Sequence, residues 1–405
     1  MENNIYILTN FNFNKSYGAA WSRVDNYLQC FKDSNTNVYV SSSKYNYKSG
    51  IIINELYQNS YRIFSKKGFH KKYKSYIENF CFLYYYKYYN KIYQFSKDQK
   101  SNKKIFFLYS FNFASVTMSL LYFKILKRQK LFCEKNELQF AIALNQQLPF
   151  NFLRILPVLF LQFISIILGF LQDILSNYFD GLIVISSRFE KLYKRVKVIK
   201  VPILANKQFF RCNPLNLTND NLKICYSGDV NQNKDGILDL LEALTTIERP
   251  ILVDLYGIVN KKLERKIKYK IKILKTHQIN LYGEIPWIQL PEIFNNYNLL
   301  ISPRPSNLQT EFGFSTKLAE YLASSIPVLA SKVSDNEVYL EDKVNAFLFE
   351  AGNISALKMK LEEIQNYDRI ELIKIGIKGR EIAQNHFIIS HYNSLLYNFF
   401  FNNIN

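Results

Sequence analysis

The sequence is poor in the residues that build disulfide scaffolds and metal centres. Its 405 residues include only five cysteines and four histidines. The cysteines, which are Cys30, Cys81, Cys133, Cys212 and Cys225, show no spacing typical of metal ligands. Most of them stand beside apolar residues, as buried free thiols do. These features exclude a metal site built from cysteines and favour a reducing compartment.

A secretion signal is also missing from the start of the sequence. The first ten residues, MENNIYILTN, contain no basic segment followed by an apolar stretch, which a signal peptide requires. They predict a β-strand instead. The sequence also shows no low-complexity tract and no short-period repeat. We therefore expect a cytoplasmic protein.

Acidic residues are scarce in the first half of the chain only. Residues 1–200 contain 29 Lys and Arg against 11 Asp and Glu, a net charge of +18, whereas residues 201–405 contain 23 against 22, a net charge of +1. Such an asymmetry indicates a polyanionic partner for the first half: an anionic membrane surface, a phosphorylated acceptor or nucleic acid. Generic solubility is the plainer alternative.

Twelve short apolar runs alternate with longer helical stretches along the chain. The runs are residues 5–9, 38–41, 105–109, 130–134, 182–185 and 198–201 in the first half, and 222–227, 251–256, 279–282, 299–302, 327–330 and 346–349 in the second. Continuous apolar strands separated by helices are typical of parallel sheets that are buried on both faces. The pattern therefore predicts an α/β protein with two doubly wound, Rossmann-like domains that join near residues 202–220.

Two segments of the first half differ from a plain Rossmann-like domain. Residues 66–95 are basic and aromatic, and residues 155–172 form an apolar run without a charge. By length the apolar run is a borderline transmembrane candidate. However, polar and helix-breaking residues interrupt it, and it lies between two strands of one predicted sheet. We expect a helix that lies along a membrane interface; an ordinary core helix is the alternative.

The segment EFGFSTKLAEYLASSIPVLAS has the clearest chemical pattern. A turn with Gly313 leads through Ser315 and Thr316 into a helix, whose free N–H groups and dipole can hold a phosphate. Lys317 can neutralise a diphosphate, and Glu320, on the same helix face, can accept hydrogen bonds from sugar or ribose hydroxyls. A capped surface helix with an internal ion pair fits the same spacing.

With this segment and four others, the chain resembles the retaining glycosyltransferases of family 4. The other segments are VPILANKQFF, YSGDVNQNKDGILDLLEAL, INLYGEIPWIQLPEIFNNYNLLISPRP and VNAFLFEAGN. The five occur in the family's order. The resemblance implies the GT-B fold, in which two Rossmann-like domains face a cleft. We expect the domains at residues 1–203 and 204–384, and a terminal helix at 385–405 that packs back on the first domain.

The resemblance also implies roles for individual residues. Glu320 takes the position of the glutamate that binds the nucleotide ribose, and Lys234 that of the lysine on the donor diphosphate. Gly313 and the amides of Ser315 and Thr316 would line the phosphate and the sugar. Positive charge and a helix start would then stabilise the departing diphosphate.

Other candidates occupy the turns of the pattern or depart from it. Gly228 and Gly283 stand at two of the family's turns. Asp229 replaces the family's arginine on the phosphate, so that Lys317 or Arg304 would supply this charge. Glu311 precedes Glu320 by nine positions, where the family's two glutamates are separated by seven residues; we keep Glu311 as a catalytic candidate.

The first half offers weaker candidates. Gly18, after the first strand, would permit a close backbone approach to a ligand, and Ser22 and Arg23 could meet donor phosphate or acceptor. The residues EKNE, at 134–137, end a strand; Glu134 or Glu137 would orient an acceptor hydroxyl, or the segment would be a solvated loop. The family's first-domain histidine has no counterpart.

The resulting expectation is a retaining glycosyltransferase. It would move a sugar from a nucleotide-sugar donor to a glycan or lipid-linked acceptor in surface polysaccharide synthesis, without metal or other cofactor, and would touch an anionic membrane at its inner face. A nucleotide-sugar epimerase and a non-catalytic relative remain alternatives. Nucleic acid is not an expected partner, because no nucleic-acid-binding module is visible.

Overall fold

A computed structural model describes residues 2–9, 19–32, 34–42, 53–57, 60–64, 82–109, 112–144, 155–213, 221–228, 230 and 232–402. The chain divides into two compact units. The first unit combines Met1–Val201 with Ile389–Asn405, and the second is Pro202–Ile388. Each unit is built around one sheet.

The first unit contains an eight-stranded sheet in the order β3-β4-β2-β1-β5-β6-β7-β8. Its strands are β1 Asn3–Thr9, β2 Thr36–Ser42, β3 Ile53–Tyr57, β4 Ser60–Phe64, β5 Lys104–Tyr109, β6 Lys130–Lys135, β7 Gly181–Val184 and β8 Val198–Lys200. All neighbours pair parallel except β3 and β4, which pair antiparallel. This edge hairpin is absent from the sequence prediction, because INELY and SYRIF mix polar and apolar residues and lack the continuous apolar run that marks a central strand.

Helices connect these strands and are amphipathic in the usual way. They are α1 Ala19–Phe31, α2 Phe82–Asp98, α3 Phe113–Ser119 with its π-helical continuation Leu120–Leu126, α4 Gln139–Leu144, α5 Ile155–Leu175 and α6 Ser187–Leu192. In α1 the buried residues Val24, Tyr27, Leu28 and Phe31 recur every three or four positions, which places them on one face towards the sheet.

The second unit contains a six-stranded parallel sheet in the order β11-β10-β9-β12-β13-β14. Its strands are β9 Leu222–Ser227, β10 Ile251–Tyr256, β11 Gln278–Gly283, β12 Leu299–Ser302, β13 Val328–Lys332 and β14 Phe347–Glu350. These six strands overlap the six apolar runs predicted from the sequence. Such a sheet is buried on both faces, and its strands contribute apolar side chains to one continuous core.

Helices of the second unit follow each strand and carry the residues of interest. They are α7 Gln232–Asp235, α8 Ile237–Ala243, α9 Lys261–Ile273, α10 Leu290–Phe294, α11 Leu308–Phe312, α12 Thr316–Ala323, α13 Asn336–Tyr339, α14 Ile354–Ile364 and α15 Arg369–His386. A short 3₁₀ turn, Trp287–Gln289, precedes α10.

The end of the chain packs on the first unit, as predicted. It consists of a 3₁₀ turn, α16 Asn393–Tyr397 and a π-helical segment, Asn398–Asn402. The ring of Phe399 lies 5.1 Å from that of Phe132 on β6. A Cβ atom at Gly181 would lie 2.5 Å from the Phe399 ring, so β7 needs glycine there.

Two predictions for the first unit are wrong. Arg23 and Glu134 do not face a ligand but form a buried ion pair with 3.0 Å between Arg23 Nε and Glu134 Oε1. Arg23 also donates to the carbonyl of Val201 at 2.8 Å, and Tyr27 donates to the other oxygen of Glu134. Residue 134 is therefore part of β6 and of the interior, not of a solvated loop. The remaining candidate of this half, Gly18, lies outside the described residues.

Candidate functional site

The candidate residues of the second unit meet at the carboxyl ends of β9 and β12. The strand order runs from β9 towards β10 on one side and from β12 towards β13 on the other, so the sheet reverses its winding direction between β9 and β12. In open parallel sheets, ligands bind in the crevice that forms beyond the strand ends at such a switch point. The turn with Gly228 follows β9, and Arg304 follows β12.

Gly228 allows the Lys317 ammonium to lie against this turn. The backbone of Gly228 has φ +134°, and a Cβ atom there would lie 2.9 Å from Lys317 Nζ. A side chain at this position would therefore be strained in its backbone and would crowd the lysine. The turn thus needs glycine for two independent reasons.

Lys317 is held by partners from two other elements. Its Nζ atom donates to Asp235 Oδ1 at 2.5 Å and to the Tyr226 hydroxyl at 2.7 Å. It also lies 4.5 Å from the centroid of the Tyr226 ring. Burial lowers the pKa of Lys317; Asp235 opposes this effect, while the positive charges of Arg304 and Lys234 add to it.

This arrangement contradicts the alternative of a capped surface helix with an internal ion pair. The partner of Lys317 is Asp235 on α7, not Glu320 on its own helix. The Ser315 side chain makes no capping hydrogen bond at the start of α12. Six of the eight residues of α12 are buried. Thr316, its first residue, is half-buried.

Glu320 is buried one turn further along α12 and carries an unusual pKa. Trp287 Nε1 donates to Glu320 Oε1 at 3.0 Å. Burial raises the pKa of Glu320 to about 8, although the Trp287 hydrogen bond and the charge of Lys317 both act to lower it. The carboxyl group is therefore mostly protonated at neutral pH and can donate as well as accept a hydrogen bond.

Trp287 owes its place to aromatic packing beside the site. Its ring lies 5.4 Å from that of Phe209, and Phe209 in turn lies 5.8 Å from Phe294 on α10. Sequence reasoning did not single out Trp287 or Asp235. The available signal was their position inside two of the matching segments.

Arg304 and Lys234 add positive charge next to Lys317. Arg304 is buried, and its Nε atom donates to the carbonyl of Lys234 at 3.3 Å. A Cβ atom at Gly313 would lie 3.6 Å from Arg304 Nη2 and 2.9 Å from the carbonyl oxygen of Gln309. The turn at Gly313 therefore stays open only as glycine.

The loop that carries Lys234 and Asp235 is tied to the segment after β12. Gly236 has φ +61°, and a Cβ atom there would lie 2.0 Å from the carbonyl oxygen of Pro303. Asn307 Nδ2 donates to the carbonyl of Asn233 at 2.7 Å. These two contacts bring α7 and the segment after β12 together, and the cationic cluster depends on them.

Glu311 and Gly283 lie at the ends of other elements of this unit. Glu311, on α11, accepts a hydrogen bond from the Ser306 hydroxyl at 2.8 Å. Gly283 ends β11 with φ +78°, and its carbonyl accepts from the Gly257 amide at 2.6 Å. The neighbouring Tyr282 stacks on Tyr256 with 4.7 Å between ring centroids.

Metal ligands do not cluster in the described part of the chain. Among those residues, no group of three or more His, Cys, Asp and Glu side chains is arranged to hold a metal ion. The positive charge at the site comes from Lys234, Arg304 and Lys317.

Comparison with known proteins points to glycosyltransferases. Residues 211–378 match the family model described as "Glycosyl transferases group 1". Every candidate residue except Gly18 falls within this range, so the second unit carries the sequence features of that family. No curated protein is similar enough in sequence to be matched.

Solved structures resemble the whole chain at low sequence identity. Sucrose-phosphate synthase from Thermosynechococcus elongatus is 16% identical with a TM-score of 0.73, and the match covers 98% of both chains. Anabaena Alr3699/HepE, solved in complex with UDP and glucose, is 12% identical with a TM-score of 0.68 over 98% of both chains. A UDP-forming trehalose-phosphate synthase from Burkholderia xenovorans is 11% identical with a TM-score of 0.71, over 100% of this chain and 99% of the other. These likenesses and the two sheets confirm the predicted GT-B fold.

Proposed function

We propose that this protein is a nucleotide-sugar-dependent glycosyltransferase whose second unit binds the donor. The observation that carries the proposal is the convergence of Lys317, Arg304 and Lys234 beside a buried carboxyl group at the switch point of the sheet. A diphosphate placed there would find the charges that its departure requires. The group 1 match of residues 211–378 supports the same function.

Each residue then has a defined task. Lys317 and Lys234 neutralise the departing diphosphate, and Arg304 supplies the charge that Asp229 does not. The N–H groups at Ser315 and Thr316, at the start of α12, add hydrogen bonds to a phosphate oxygen. Glu320 binds a ribose hydroxyl, and its protonated form both donates and accepts. Glu311 is proposed to reach the sugar.

The finer assignment is that of a retaining enzyme of family 4. The order of the five matching segments supports it. In this mechanism a leaving phosphate oxygen takes the acceptor proton, so no protein nucleophile is needed, and the three cationic side chains stand in for a metal ion. The solved relative crystallised with UDP-glucose supports a uridine donor for this chain.

The acceptor is proposed to be a glycan or a lipid-linked sugar in surface polysaccharide synthesis. The first unit is the acceptor side, and its +18 charge favours a polyanionic surface or a phosphorylated acceptor. We place the protein in the cytoplasm, in peripheral contact with the inner membrane face. In the described part of the chain, no helix is long and apolar enough to cross a membrane.

The proposal is tested by incubating labelled nucleotide-sugars with membranes and purified protein. Lys234→Ala and Glu320→Ala are expected to abolish transfer. Lys358→Ala and Glu362→Ala, which remove an exposed surface pair on α14, serve as matched controls and are expected to keep full activity. Full activity in both site variants would show that the site is assigned wrongly.

A nucleotide-sugar epimerase is the second candidate, because it would use the same donor site. It converts the free nucleotide-sugar without an acceptor. Product analysis in reactions that lack any acceptor separates the two: a new nucleotide-sugar indicates the epimerase, and transfer that requires membranes indicates the glycosyltransferase. A non-catalytic relative would bind the nucleotide and give neither product.

A further inference from the structure

Helix α5 turns large apolar side chains away from the unit to which it belongs. Six of them, at least 40% exposed, are Phe160, Phe163, Ile167, Phe170, Leu171 and Ile174. Their spacing of three and four residues places them on one helix face, which we call the apolar stripe. From first to last it runs for about 21 Å at 1.5 Å per residue. A helix on a soluble protein normally turns such a face inward.

The rotation of α5 is fixed by its opposite, buried face. A Cβ atom at Gly169 would lie 2.8 Å from the backbone of Phe140, so α5 approaches α4 closely at a glycine. Asp173 accepts a hydrogen bond from Lys135 Nζ at 2.7 Å and from the backbone N–H groups of Gln139 and Phe140 at 3.4 and 3.3 Å. Because these contacts require a small residue and a carboxylate on the inner face, the apolar stripe is held outward.

Basic segments flank the carboxyl end of the apolar stripe. Residues 124–130 and 191–197 each contain four Lys or Arg and no acidic residue. In the first segment, Lys124 donates to the carbonyl of Tyr178 at 2.5 Å, just beyond the end of α5. In the second, Tyr193 interacts electrostatically with Asp173 of α5. Both segments therefore lie beside the end of α5.

We propose that the apolar stripe of α5 rests in the interface of an anionic lipid bilayer, with these two basic segments against the lipid headgroups. The inference deepens the membrane contact in the proposed function by naming the surface that makes it. Aromatic and branched side chains bury their apolar area at the acyl boundary. Each Lys or Arg near an anionic surface adds about 1 kcal/mol of attraction.

Charge favours a lipid surface over a second copy of this chain. A second copy would bring the same eight cations of the two segments towards their equals, and like charges repel at an interface. An anionic bilayer offers an acyl region for the stripe and negative headgroups for its basic flank. The geometry matches a helix that lies in the plane of the interface.

The test is flotation of the full chain with vesicles of phosphatidylcholine alone and with about one third phosphatidylglycerol. Wild-type protein is expected to float with the anionic vesicles. The double variant Phe160→Ser with Phe163→Ser, which changes side chains that are 64% and 61% exposed, is expected to bind them at least about tenfold more weakly. The matched control, Ile370→Ser with Met359→Ser, changes side chains of the second unit that are 64% and 62% exposed and should bind as wild type.

Two further readouts separate this inference from the donor site. Circular dichroism and the thermal shift with UDP are expected to be the same for the double variant and wild type. Absence of any nucleotide effect, together with loss of flotation in the double variant, would refute the donor site and leave this inference standing. Unchanged flotation in the double variant would overturn it. So would light scattering that shows a dimer which this variant dissociates without any effect on flotation.

Discussion

The ammonium of Lys317 and the carboxylate of Asp235 lie 2.5 Å apart although 82 positions separate them in the sequence. Asp235 is buried, and the Lys317 side chain is 18% exposed. The pair joins α7, which follows β9, to α12, which follows β12. It therefore connects the two sides of the switch point and sets where the positive charge of the site is placed.

The first prediction uses this pair in a double-mutant cycle. Lys317→Ala leaves the buried Asp235 carboxylate without its cation, so it should lower the free energy of unfolding by about 3 kcal/mol. Adding Asp235→Asn should restore most of the loss, because a neutral amide needs no counter-charge. Nucleotide binding should stay lost in both, since neither contains the ammonium.

Urea unfolding and UDP titration of wild type, both single variants and the double variant measure this cycle. Stability that falls additively in the double variant would show that the two side chains do not act as a pair. Recovered UDP binding in the double variant would show that Lys317 is not a phosphate ligand.

The second prediction concerns the pH dependence of stability. The folded-state pKa of Glu320, about 8, lies above its ordinary value of 4.5. Between these values the unfolded chain releases this proton and the folded chain keeps it, so this group makes the protein less stable as the pH rises from about 4.5 to 8. Glu320→Gln removes the proton and with it this loss.

Thermal unfolding of both proteins between pH 5 and pH 9 checks the sign, with about half a pH unit between points. The stability of Glu320→Gln relative to wild type should increase with pH. Glu311→Gln, at a carboxylate bonded to Ser306, serves as the control and should run parallel to wild type. A constant difference between Glu320→Gln and wild type would contradict the buried, protonated carboxyl.

The third prediction compares two glycines with positive φ angles. Gly236→Ala places its Cβ atom 2.0 Å from the carbonyl oxygen of Pro303, whereas the Cβ atom of Gly352→Ala meets nothing within 4 Å. Gly352→Ala should therefore cost only the backbone strain of about 1 kcal/mol. Gly236→Ala must also displace backbone and should cost at least about 3 kcal/mol. Denaturant unfolding of both variants measures the difference, and equal costs would refute the close approach at Pro303.

The fourth prediction concerns metal ions. Because Lys234, Arg304 and Lys317 supply the charge that stabilises the leaving diphosphate in this account, transfer should proceed after treatment with EDTA. Transfer assays with and without the chelator measure this. Loss of activity that added Mg²⁺ or Mn²⁺ restores would show that cationic side chains alone are insufficient.

The sequence predicted the parts of the fold that follow from local pattern. All six strands of the second unit were visible because each is a continuous apolar run between helices. The β3–β4 hairpin was not, because its strands lack such a run. The buried ion pair of Arg23 with Glu134 was misread as ligand-binding, since its partners are 111 positions apart and only the folded sheet brings them together.

The candidate site shows the same division. Gly228, Gly236 and the start of α12 belong to short motifs, and the motifs placed Lys317 and Glu320 on one helix. Asp235 and Trp287 became apparent only from the structure, because their contacts with Lys317 and Glu320 join residues that are distant in sequence. The raised pKa of Glu320 has the same origin, since it comes from burial by several elements.

The most direct measurement is thermal unfolding of wild type and Lys317→Ala with a panel of nucleoside diphosphates. A ligand at about 100 times its dissociation constant stabilises the folded state by about 2.7 kcal/mol, or roughly 5–10 °C for a unit of this size. The account predicts such a shift for wild type with at least one nucleoside diphosphate and none for Lys317→Ala. No shift with any of them, or the same shift in both proteins, would contradict it.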